Sequence, residues 1–316
     1  MDISFHASLT PFYTEQVRLP LYPLLKKQIE ETIRKMHGDL LAKASEGIEA
    51  SWSLANTKND RFIDRRLAGK VATARAKAVL YDPNIEALKR FRARKSSGLN
   101  LSQRVWRSTR PFKREVEQGL GLMVGEGRSA AEMATQLKRN LREPERLYRR
   151  VRSPEGKLKL STSAREYHPG QGVYRSSYQN ALRLTATETN IAYRTADHER
   201  WNNIPFVVGM EVRLSGSHPT YDICDALRGK YPKDFKFTGW HPRCLCNAVA
   251  IQMTDEEFEK YQDQILSGGR VDVGSSETVS SPPAAFDKYV EKNAEQIKGW
   301  KNKPYWVKDN GEYVTL

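Results

Sequence analysis

Every cysteine of this chain falls within one stretch of twenty-three residues, and that limits what the stretch can fold into. Cys224 lies in Tyr221-Asp222-Ile223-Cys224-Asp225, and Cys244 and Cys246 close the run Trp240-His241-Pro242-Arg243-Cys244-Leu245-Cys246. Read with His241, these residues form a complete Cys₃His set for a tetrahedral structural zinc ion. Three thiols cannot all pair within one chain, and no disulfide framework is visible, so a reducing compartment is expected. In a fully extended strand Cys244 and Cys246 would share a face but splay too far apart. A turn or bulge must therefore draw them together. Pro242 fixes the backbone beside His241, and Arg243 next to the sulfurs favours thiolate. The competing reading is three small packed residues beside a histidine bonded within its own loop. His218, Asp222, Asp225 and Asp234 are alternative ligands for the fourth position. Four strong donors within one loop point to a closed structural site, because a catalytic zinc keeps a position open for water.

A chain of 316 residues is long enough for two domains. Lys and Arg outnumber Asp and Glu by 52 to 38, for a net charge of +14. That surplus favours an anionic partner, either nucleic acid or an acidic protein surface. Two arginine clusters stand out as candidate anion or nucleic-acid contacts: Arg90, Arg92 and Arg94, and then Arg146, Arg149 and Arg150. Solvated helix ends are the bland alternative for both. No apolar stretch approaches the roughly 20 residues of a bilayer span. The first residues lack the basic start and apolar run of a secretory signal. No membrane role is expected, and a cytoplasmic location fits.

Local patterns read as helices over about 20–150. Leu25, Ile29, Ile33 and Met36 recur at helical spacing, with Gly38 as an expected stop. Phe62, Ile63, Leu67, Val71 and Ala74 continue the pattern to Leu80, before Asp82-Pro83. Ser102 is the expected cap of a segment holding Val105 and Trp106. Ser129-Ala130-Ala131-Glu132 has the form of a capping box. The stretch 153–172 reads as a loop or domain junction. A long helix is expected over about 176–201, with more polar groups than a core helix needs, among them Glu188, Asn190, Arg194 and Asp197. Val208, Met210, Val212 and Leu214 alternate as in a half-buried strand, and Ala248–Ile251 reads as a second. Thr254 to Glu257 caps another helix. Residues 267–283 read as mobile, and a short helix near 286–297 and an edge strand at 304–307 are expected in the tail.

Phosphate-binding glycine loops, a nucleophile elbow and an HExxH helix are all missing from the sequence. Glu188, His218 and Asp222 remain the candidate acid–base groups if the chain is an enzyme acting on nucleotide or nucleic acid, with the cysteines as scaffold.

Three segments, in order, resemble the phage head morphogenesis family of Mu F-like minor head proteins. Arg183-Leu184-Thr185-Ala186-Thr187-Glu188-Thr189-Asn190 is similar to the family's Arg-x-x-x-Thr-Glu-x-Asn helix. Asp222-Ile223-Cys224-Asp225, followed by Gly229-Lys230-Tyr231-Pro232, resembles its Asp-x-x-Cys segment leading to Gly-Lys. His241-Pro242-Arg243-Cys244-Leu245-Cys246 resembles its closing His-Pro-x-Cys-Arg-Cys. With Tyr167 to Ser176, the stretch is similar to versions from phages and prophages of Bacteroides-type bacteria, and the likeness covers about 165–252. The chain departs from the pattern at Leu227, where the family often has a second cysteine, and at Leu245, where it has arginine.

The resemblance implies a minor capsid component near the portal, acting in procapsid assembly, DNA packaging or genome ejection. Its expected partners are the portal or other head proteins and DNA, and its expected location is the inner head of the virion and the host cytoplasm during assembly. The expected architecture is α+β: a helical domain over 1–152, a small α+β head morphogenesis domain over 153–266 with a zinc-stabilised loop, and a linker and tail over 267–316. A zinc-stabilised DNA-binding module is a further alternative.

Overall fold

A computed structural model describes residues 23–70, 72–117, 129, 131–132, 151–152, 154–159, 177–218, 221–269 and 274–315. The chain separates into two compact units, each built from two stretches of sequence: 1–43 with 99–184, and 44–98 with 185–316. The fold is mixed, with many helices and a small antiparallel sheet, which agrees with the α+β reading.

Helix α1 (Pro23–Leu67) is one uninterrupted element of 45 residues. Gly38 does not stop it. A glycine in a helix interior costs about 1 kcal/mol, and the apolar contacts of flanking residues outweigh that. In the first unit Ile29 and Ile33 pack with Phe112 and Val116. Helix α2 (Ala74–Leu80) is separate from α1, because Ala68 and Gly69 both take positive φ and end the first helix there. Helix α3 (Ile85–Ala93) follows. Helix α4 (Leu101–Thr109) belongs to the first unit. Its cap is Asn100 with Gln103 in a capping box rather than Ser102, because the amide one turn earlier meets the Asn100 carboxamide first. The capping box at Ser129 and Glu132 is formed as expected. Two short strands, β1 (Val151–Arg152) and β2 (Leu158–Lys159), pair antiparallel.

Helix α5 (Ser177–Asn203) starts in the first unit, where the buried Glu115 carboxylate accepts the Ser177 amide and hydroxyl. The helix ends in the second unit. There a three-stranded antiparallel sheet has the order β4-β3-β5, with β3 (Val207–Arg213) central, β4 (Gly229–Tyr231) on one side and β5 (Asn247–Gln252) on the other. Ile223–Ala226 forms a single helical turn, α6. Helix α7 (Asp255–Ser267) opens on the expected box of Thr254 and Glu257.

The tail corrects two expectations. The described part of 267–283 is anchored: Val279 N–H donates to the Val208 carbonyl at 3.2 Å, and Glu257 accepts Ser275 Oγ at 2.6 Å and Ser276 N–H at 2.7 Å. Beyond it come α8 (Ala284–Lys292), α9 (Ala294–Gly299) and α10 (Tyr305–Lys308). Residues 304–307 thus form a helical turn opened by Pro304 instead of an edge strand. The turn drives Trp306 into an aromatic cluster with Trp240, Phe286, Tyr289 and Trp300. Phe286, Ile297 and Trp306 are all fully buried, so the tail is core.

Candidate metal centre

Each sulfur is placed by a different local device. Asp222 caps α6, accepting the Cys224 amide at 2.6 Å, while Asp225 accepts the Asp222 amide at 2.9 Å. This reciprocal box holds Cys224 in a single turn too short to be stable by itself. Cys244 is placed by a reverse turn in which its N–H donates to the His241 carbonyl at 3.1 Å. Pro242 occupies the second position, and Arg243 the third with φ of +59°, the signature of a type II turn. A left-handed φ at a residue with a Cβ costs about 1 kcal/mol, so packing must hold Arg243 there. Cys246 lies in irregular chain just before β5 begins at Asn247. The turn thus lies ahead of the Cys-x-Cys pair, over residues 241–244, and Cys244 to Cys246 continue as irregular chain.

The three sulfurs converge within 4.8 Å of one another, and all three side chains are buried in the main core. Cys224 Sγ and Cys244 Sγ are 3.7 Å apart. Zinc–sulfur bonds of 2.3 Å at tetrahedral angles give sulfurs about 3.8 Å apart, a spacing that the Cys224–Cys244 edge matches. The cluster could hold a metal ion. His241 Nε2 is 3.0 Å from Cys224 Sγ and 3.2 Å from Asp222 Oδ2, and its Nδ1 lies 2.8 Å from the Pro242 carbonyl. A proton on Nδ1 donated to that carbonyl leaves the Nε2 lone pair for the sulfur cluster. His218 Nε2 bonds Asp225 Oδ2 at 2.9 Å and lies 3.6 Å from Asp222 Oδ1.

Charge in the cluster is shared unequally. A hydrogen bond from Cys246 holds the Cys244 thiol well below its ordinary range, with Arg194 adding to the effect. Burial, with Cys244 beside it, pushes Cys224 up; the bond to Cys244 and burial push Cys246 up.

Helix α5 holds the loop from behind. The Arg194 guanidinium donates to the carbonyls of Thr238 at 3.0 Å, Cys244 at 2.7 Å and Cys246 at 2.6 Å. Asn190 Nδ2 reaches the Cys244 carbonyl at 3.5 Å, and Thr187 Oγ1 accepts the Arg243 amide at 3.2 Å. Gly239 makes room for the guanidinium. At its φ of +113° an added Cβ would sit 2.5 Å from Arg194 Nη1 and 3.2 Å from Cys244 Cβ. Of the polar groups beyond what a core helix needs, Asn190 and Arg194 form a clamp on the cysteine loop.

Other candidates fall elsewhere. His218 and Asp222 come together beside Cys224, but Glu188 is buried against Arg94 at 2.7 Å. Arg94 is therefore an internal counter-ion rather than an anion contact, its guanidinium lying over Phe91. Arg92 pairs with Glu49 at 2.6 Å, and Arg90 is exposed. Arg146, Arg149 and Arg150 lie outside the described residues, as does the 167–176 segment. No helix among the described residues is long and apolar enough to cross a membrane. Comparison of the chain with protein-family models, with curated proteins and with solved structures returned no match.

Proposed function

We propose that Cys224, Cys244, Cys246 and His241 bind one zinc ion as a closed structural site, and that the chain is a minor head protein acting in phage head morphogenesis. The zinc reading rests chiefly on the convergence of three buried sulfurs with a 3.7 Å edge. Zinc bound there would neutralise the crowded thiolates and tie α6 to the loop before β5. His241, half-buried and fixed through Nδ1 to the Pro242 carbonyl, is the fourth ligand in this reading.

The head-protein reading is supported by where the resembling segments go. Thr187 and Asn190 from the first, Cys224 from the second, and Arg243, Cys244 and Cys246 from the third meet at one centre. Three separated segments converging in this way behave as one structural unit. Residues that a hydrolytic site would need are instead engaged in folding: Glu188 in a buried ion pair, and Asp222 and Asp225 in a helix cap.

Elemental analysis of protein purified without chelator is expected to give about one zinc per chain, lost in Cys244→Ser. A folded wild-type protein without zinc would overturn the metal reading. For the assembly role, the chain is co-expressed with the portal protein of the genome that encodes it and sedimented. Co-sedimentation that survives His218→Ala and Glu188→Gln fits a structural role, whereas turnover of a nucleotide or nucleic acid abolished by either change would sink it.

A further inference from the structure

Among the described residues β5 pairs with β3 alone, which leaves one edge of the sheet open. Its burial contrasts with that of β3. None of the six β5 residues is fully buried, and Val249 is 37% exposed. Natural edge strands are usually blunted by charge, proline or a bulge. The sequence of this one, Asn-Ala-Val-Ala-Ile-Gln, carries neither charge nor proline.

A cleft of about 850 Å³ runs beside it, within the range of roughly 300–1,000 Å³ typical of ligand sites. It is lined in succession by Asn247, Ala248, Val249 and Ala250. Successive strand residues point to opposite faces, so a cleft touching all four follows the hydrogen-bonding edge instead of one face. The rest of the lining comes largely from α1 and α5. Its charged lining is Lys58, Arg65, Arg66, Arg194 and Asp197; Arg66 is engaged by Asp255 and by the Met253 and Thr254 carbonyls, and Arg194 by the cysteine loop, which leaves Arg65 as the exposed cation. Asp197 is already engaged by Lys58 and by Asn59 at 2.8 Å. Arg65 is exposed, its Nε donating to the Arg61 carbonyl.

We propose that this edge is a docking site for an extended acidic segment of a partner protein, which adds a strand beside β5 and sets a carboxylate against the exposed Arg65. The open backbone groups call for an alternating row of N–H and C=O, which a peptide supplies and a phosphodiester chain does not. The basic lining selects the sign of the alternate side chains. A segment matching β5 in length has about six residues and spans about 20 Å. The site goes beyond the proposed zinc and head-protein roles and stands or falls separately from them.

The test uses the full chain and a fluorescent Glu-Val-Glu-Val-Glu-Val peptide, followed by anisotropy. Binding is expected, and it should weaken as salt rises from about 50 to 200 mM. The Lys-Val counterpart, and a version N-methylated at alternate residues, should bind at least about tenfold more weakly. Arg65→Glu, an exposed change on α1, should weaken binding about fivefold with an unchanged melting curve. Hydrogen exchange should show new protection of the 247–252 amides. Absence of binding at about 1 mM peptide would overturn the proposal. So would equal binding of the Lys-Val peptide, tighter binding of an oligothymidylate, or binding that leaves the β5 amides exchanging as before.

Discussion

Replacing Arg194 by Met keeps the aliphatic stem and removes the head that grips the cysteine loop. Three donors are lost, to the carbonyls of Thr238, Cys244 and Cys246, at 2.6 to 3.0 Å. A hydrogen bond to a charged group contributes about 1.5–3 kcal/mol, but three bonds to one guanidinium do not add, because they share one desolvation cost and one set of rotamers. Burial already disfavours the charged head, lowering the Arg194 pKa from its ordinary value, so part of the gain offsets desolvation. What remains is about 3–5 kcal/mol, the cost of breaking a buried charged network from one side. Against a total stability of about 5–15 kcal/mol, that is a large share. Urea unfolding followed by tryptophan fluorescence reads it, since Trp240 adjoins the loop. At a slope of about 2 kcal/mol per molar urea the midpoint should fall by about 2 M. Zinc affinity, measured by chelator competition, should fall about 10–100-fold, as it does when groups that orient ligands are removed. Arg194→Lys separates charge from geometry. An ammonium cannot span three carbonyls arranged for a planar fork, so Lys should recover less than half of the loss. A Met variant whose midpoint and zinc affinity match the wild type would refute the clamp.

Two further outcomes follow from the tail. Bonds from Ser275, Ser276 and the Thr254 amide hold the Glu257 carboxyl down at about 2, from an ordinary 4.5. Its contribution is full above pH 4.5 and is lost as pH falls toward 2, so wild type should lose its margin over Glu257→Gln across that window in urea titrations at successive pH values; parallel curves would refute it. Trp306→Ala should destabilise by about 3–5 kcal/mol in calorimetry, because Trp306 is 1% exposed at the centre of four aromatic contacts; a change under about 1 kcal/mol would show that the tail is peripheral.

Local sequence carried what depends on neighbours. The Thr254 box and the existence of β3 are decided within a few residues, and both are formed, although Val207 to Met210 are all buried instead of alternating. Features decided at long range were not legible. The sheet order β4-β3-β5 and the union of 44–98 with 185–316 depend on which surfaces find each other. Gly38 carries the same residue signal as a helix terminator, yet lies inside α1. Gly47, also in α1, would place a Cβ 2.7 Å from the Thr189 side chain, so its value is close approach to α5. Trp306 was misread because Tyr305, Trp306 and Val307 favour strands by composition, and burial overrode that preference. The β5 cleft escaped notice because its basic lining comes from α1, nearly two hundred residues earlier in the sequence.

The polar stripe of α5 connects these observations. Thr187, Asn190, Arg194, Asp197 and Trp201 follow one another at intervals of three and four, so they share one face of the helix. On a plain core helix that face would be apolar. Here its first three members bond the loop, and its last two bond α1, Asp197 through Lys58 and Asn59, and Trp201 by donating to the Asn59 side-chain Oδ1 at 2.9 Å. Apolar side chains could bury the same area, but they would not fix the loop's register, since dispersion contacts tolerate sliding where directional bonds do not. A thiolate cluster requires fixed register, because a shift of one residue would exchange Cys246 for Leu245 at the centre. The cost of burying Thr187, Asn190 and Arg194 is thus tied to one requirement, the placing of the cysteine loop, while Asp197 and Trp201 fix α5 to α1.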